Sequence, residues 1–114
     1  MNQWNTKNLD ELFDIGGKDL VFELIHLFTS ESALVIQKLN EALKENKQEA
    51  IGQIAHKLKS SSGSLGLNEL SEQCLAVDTK RRRGEPITSL EVEQIIKHIH
   101  LSRELLMSYK TEKS

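Results

Sequence analysis

A chain of 114 residues with 38% hydrophobic content is long enough for one modest core and too short for two, and its single proline and 28% charged residues favour helix. Fifteen basic against 17 acidic residues leave a net charge of -2, which argues against nucleic-acid binding by phosphate neutralisation and points to protein partners. No run approaches the roughly 20 apolar residues of a membrane span, and the opening Met1-Asn2-Gln3-Trp4-Asn5 lacks the basic and apolar regions of a leader, so a cytoplasmic protein is expected.

Amphipathic helices follow one another along the chain. Leu9, Leu12 and Phe13 form the apolar edge of a short first helix after Thr6, ended by Gly16-Gly17. From about Lys18 to Asn46 there is no proline or glycine, and Leu20, Leu24, Leu27, Phe28, Val35, Leu39 and Ala42 approximate a helical repeat. The first half of this segment is apolar around more of its circumference than one buried stripe needs. Either the short first helix covers the excess, or part of it is a docking patch. A third helix is expected over Gln48 to Leu65, with Gly66 as a left-handed cap, and a fourth over Asn68 to Arg83, stopped by Gly84-Glu85-Pro86. The last helix opens with Thr88-Ser89-Leu90-Glu91, a capping box. Short connections make neighbours antiparallel, and no segment alternates in the manner of a strand. The expected architecture is all-α, an antiparallel up-down four-helix bundle with a short additional N-terminal helix, and residues 1–114 form a single domain.

One histidine in the third helix stands apart. At about 100° per residue, Ile51, Ile54, Ala55, Leu58, Ser61, Ser62 and Leu65 share one face, and His56 points nearly the opposite way. Its neighbours at helical spacing are Gly52, Lys59, Ser60 and Gly63, small or cationic. Glycine costs about 1 kcal/mol in a helix interior, so two of them beside one outward side chain suggest close approach by another molecule. From geometry alone, a solvent-facing histidine on a poorly optimised helix fits equally well.

Other clusters are weaker. Glu23 and His26 make one Glu-x-x-His unit where carboxylate metal bundles need two plus two further glutamates, so no metal site is expected. His98 and His100 diverge on a helix. Lys80-Arg81-Arg82-Arg83 could touch phosphate or an acidic partner surface, but at the end of a helix it reads chiefly as a complement to the macrodipole. The lone cysteine, Cys74, shares a stripe with Leu67, Leu70 and Val77 and reads as core. No glycine-rich phosphate loop or nucleophile elbow is present.

Ala55-His56-Lys57-Leu58-Lys59-Ser60-Ser61-Ser62-Gly63-Ser64-Leu65-Gly66 resembles the signature of histidine-containing phosphotransfer (HPt) domains: His, any residue, Leu, Lys, Gly, two small residues, a hydrophobic residue and Gly. Gly17, Asp19, Phe28 and the total length extend the likeness over nearly the whole chain. The resemblance implies a free-standing phosphorelay intermediate of a two-component system. His56 would be phosphorylated by a phospho-aspartate of a hybrid kinase or receiver domain and would pass the group reversibly to a response-regulator aspartate. Lys59 would stabilise the phosphoryl group, and the chain would be a phosphocarrier without a nucleotide or kinase site. No cofactor is implied in this chain; Mg²⁺ is expected on the partner receiver. The family usually has glycine where Ser60 stands, and the Lys-Ser-Ser arrangement is similar to that of small quorum-sensing phosphorelay proteins. Asp78 occupies a fourth-helix position facing the histidine, where many members carry glutamine, and could orient the imidazole. Gly52, Gly63, Ile15, Leu20, Val21 and Asp78 are the candidate partner-facing residues, and a monomer is expected. The alternative is a helical adaptor that binds a receiver or kinase through the same face without carrying phosphate.

Overall fold

The computed structural model describes residues 4–114; Met1, Asn2 and Gln3 of the opening segment lie outside them. Four helices follow in order: α1 Lys7–Lys44, α2 Gln48–Ser64, α3 Asn68–Arg83 and α4 Ser89–Lys113. The expected short first helix is the leading arm of α1, which breaks at Gly17 (φ 76°, ψ -172°). Only glycine takes that conformation readily. The break is also needed for compactness, because 38 straight residues would reach about 57 Å, beyond the 42 Å long axis of the molecule.

The remaining boundaries have local causes. At the end of α2, Gly66 (φ 74°) lets Leu67 N–H reach the Ser62 carbonyl (2.9 Å) and its own N–H reach that of Gly63 (3.1 Å), a Schellman arrangement. Gly84 (φ 69°) turns the chain after α3. The Thr88 hydroxyl accepts from Glu91 N–H at 3.2 Å, while the Glu91 carboxylate accepts from Thr88 N–H at 3.0 Å, completing the capping box.

The helices pack in a ring, α1 on α2 and α4, and α3 on α2 and α4, with α2 and α3 most closely paired. Ile25, Leu39, Ile51, Leu70, Ile95 and Leu106 contribute fully buried side chains from all four helices. Cys74 lies in this core, where burial pushes its thiol up to about 12. No described helix is long and apolar enough to cross a membrane.

Most of the excess apolar surface of α1 is used internally. Val21 is fully buried with Ile25 and Phe28, so its expected place on a partner-facing surface is corrected: it is core. Leu20 is half-buried and folds against Gly16, where a Cβ would collide with it. Ile15, in contrast, is 82% exposed. The leading arm and the residues before it are fastened to the end of α2 and to α4: Trp4 Nε1 donates to the Leu65 carbonyl (3.2 Å), Asn8 Nδ2 to the Gly63 carbonyl (3.3 Å), and the Tyr109 hydroxyl to Asp10 Oδ1 (2.7 Å).

Candidate functional site

His56 sits in the middle of α2 with its side chain 45% exposed, on the edge that faces α3. Asp78 meets it there from α3, with only 1% of its side chain exposed and Oδ2 at 2.9 Å from His56 Nδ1. A carboxylate only accepts, so the proton of this bond belongs to Nδ1 and the neutral ring keeps its lone pair on Nε2. No group among the described residues is bonded to Nε2, which is left facing solvent.

The buried carboxylate is held ionised by cations. Arg81 donates to Asp78 Oδ1 through Nη2 (2.8 Å) and Nε (3.2 Å), and through Nη1 to Glu49 Oε1 (2.9 Å). Arg82 Nη2 lies 3.3 Å and Lys59 Nζ 3.6 Å from Asp78 Oδ2. Burial alone would raise the carboxyl's pKa; the hydrogen bonds from His56 and Arg81 and the charge of Arg82 outweigh it and hold Asp78 below the usual carboxylate range. Ionised at neutral pH, Asp78 fixes the ring's tautomer and plane.

Two helices can come this close because the residues between them are small. Gly52 is buried under Arg81, whose Cβ and Cγ would each stand 2.6 Å from a Cβ at position 52. Gly52 is therefore corrected as a partner contact: its missing side chain makes room for an arginine of the same chain. Gly63 is half-buried, its virtual Cβ 3.4 Å from Ser71 Oγ, and that hydroxyl donates to the Lys59 carbonyl at 3.1 Å. The stripe Gly52, His56, Lys59, Gly63 runs along the seam with α3. Ser60 lies outside the seam, exposed, one turn beyond His56.

Asp78 is corrected in the same way, since a buried carboxylate bonded to His56 and Arg81 is unavailable as a surface contact; its expected alternative role, orienting the imidazole, is the one its geometry fits. Arg81, Arg82 and Glu49 belong to the site and were not among the expected residues. The signal is in the sequence: Arg81 and Arg82 stand three and four places after Asp78, the spacing of helical ion pairs, but a basic helix end also suits the macrodipole or an external anion. Glu23 and His26 remain exposed on α1, and His98 Nδ1 lies 3.5 Å from Glu69 Oε2 in a separate groove between α3 and α4.

The pattern of the Hpt domain matches residues 23–105. The chain is 27% identical over 111 residues to phosphorelay protein LuxU of Vibrio vulnificus, covering 96% of each chain. It is 31% identical over 98 residues to the protein of the same name in Vibrio cholerae, covering 84% of this chain and 87% of that one. In three dimensions it is similar to histidine-containing phosphotransfer protein B of Pseudomonas aeruginosa, with a TM-score of 0.87, 22% identity and coverage of 98% and 97%. At that identity the structural likeness speaks to the fold, and the match over residues 23–105 to the family.

Proposed function

The chain belongs to the Hpt domain family and is a phosphorelay intermediate of two-component signalling; from that premise we propose that His56 is the residue that carries the phosphoryl group. The observation behind this reading is the 2.9 Å bond from Nδ1–H to a buried Asp78, which leaves Nε2 outward with its lone pair. In the forward step Nε2 attacks the phosphorus of a receiver phospho-aspartate, the Nε2–P bond forms, the P–O bond to the aspartate breaks, and the carboxylate leaves with its electron pair. The Nδ1 proton stays in place. The ring then carries positive charge, which the preorganised Asp78 carboxylate stabilises without reorientation. Reversal delivers the group to an aspartate of a second receiver.

Lys59 supplies a cation beside the phosphoryl position and Ser60 a hydroxyl one turn away. The receiver contributes its own carboxylates and a bound Mg²⁺, so this chain works as a carrier and has no kinase chemistry of its own. Ser60, the exposed edge of Gly63, Ile15 and Leu20 form the docking surface, and the exchange takes place in the cytoplasm between a kinase-linked receiver and a response regulator.

His56→Gln is expected to abolish labelling from a phosphorylated receiver while the far-ultraviolet helical spectrum stays unchanged. The wild-type label should be acid-labile and alkali-stable. A label that persists in His56→Gln would exclude this assignment, and an unlabelled wild type that still binds receivers would favour the adaptor.

A further inference from the structure

Asp78 Oδ2 has more partners than one oxygen can serve well. His56 Nδ1 approaches at 2.9 Å, Arg82 Nη2 at 3.3 Å and Lys59 Nζ at 3.6 Å. Arg81 is held differently, by two bonds to Oδ1 and a third to Glu49. Among the described residues Arg82 has only the long contact to Oδ2, although its Nη2 also lies 3.3 Å from His56 Nδ1. A guanidinium only donates, and Nδ1 already carries a proton, so no bond forms between those two nitrogens. Arg82 is thus an exposed cation beside the imidazole with one weak tether.

The charge count runs the same way. Lys59, Arg81 and Arg82 face Asp78 and Glu49, three cations to two carboxylates, so the unloaded site has one positive charge in excess. A phosphoryl group on Nε2 brings up to two negative charges and several acceptor oxygens, which suit a guanidinium better than a shared carboxylate oxygen does. We propose that Arg82 is a second phosphoryl-holding cation, parked on Asp78 in the unloaded carrier and transferred to the phosphoryl oxygens when His56 is loaded. This rests on His56 being the carrier residue. Asp78 then has two consecutive tasks, fixing the ring and keeping Arg82 beside it.

The full chain is loaded with phosphoramidate, whose P–N bond breaks and releases ammonia as the Nε2–P bond forms, and the phosphohistidine is titrated by ³¹P NMR. In Arg82→Ala the midpoint of the phosphohistidine's ³¹P titration is expected to rise by about one unit, a tenfold change in proton affinity, with Lys59→Ala moving it similarly and Arg83→Ala leaving it in place. Arg82 is exposed, so its variant should fold, which circular dichroism checks. A loaded Arg82→Ala with the wild-type midpoint would overturn the proposal while leaving His56 as carrier. An equal rise in Arg83→Ala would also overturn it, since the effect would then be one of general charge. A wild-type label that survives His56→Gln would overturn both this proposal and the function it rests on.

Discussion

The pairing of His56 with a buried aspartate makes the site's electrostatics testable through Asp78. Its carboxyl is held below the ordinary range, so its contribution to stability is complete above the unfolded pKa of about 3.9 and is lost as pH falls through the lower folded value. Asp78→Asn is expected to cost about 2 kcal/mol at pH 7 by leaving Arg81 with one carboxylate instead of two. Urea unfolding at pH 7, 5 and 3 should give the same difference at the first two values and a smaller one at the third. A difference that already shrinks between pH 7 and 5 would assign the effect to another group. At this scale the sequence was half legible. The helical wheel isolated His56 and the motif supplied Lys59, but neither states which side chain of another helix closes over a given residue. The family resemblance places Asp78 opposite the histidine, whereas Arg81 and Arg82 read as part of a basic helix end and their contacts with Asp78 come only from the packing of α3 on α2.

Element boundaries were the most legible part of the chain, because each is set by a residue with a local conformational reason. Gly17, Gly66 and Gly84 all take positive φ where the helices turn or end, and Thr88 and Glu91 cap each other. The faces of α2 were harder to read. Its core stripe of Ile51, Ala55 and Leu58 is apolar and announces itself, whereas the seam with α3 is made of glycine and polar residues, and the same composition describes an open surface. The two seam glycines distinguish the cases. Gly52→Ala forces the Arg81 side chain away from its seat and is expected to cost about 1–3 kcal/mol. Gly63→Ala meets Ser71 Oγ at ordinary contact distance and should leave stability unchanged or raise it, by up to about 1 kcal/mol from helix propensity. Thermal unfolding of the two variants measures the contrast; equal losses would contradict the close packing of Arg81 on α2.

Across the whole molecule, a net charge of -2 coexists with a local excess of cations at the edge of α2 and α3, where Lys59, Arg81 and Arg82 surround the Asp78 carboxylate beside His56. A receiver that presents carboxylates would be steered toward that edge. Raising ionic strength from about 0.05 to about 0.5 M should therefore slow transfer several-fold at sub-saturating receiver, with little effect at saturation. A rate indifferent to salt would show that the local cations act only after docking. The bundle's connectivity has a further effect on how the site is built. His56 and Asp78 are separated by 22 positions, while the tie between Asp10 and Tyr109 spans 99. By chain-closure entropy the shorter loop is easier to form by about 1.3 kcal/mol. The charged array around His56 therefore belongs to a local helical hairpin, the part of the topology that sacrifices least chain freedom, and α1 and α4 complete the enclosure through the more distant contact.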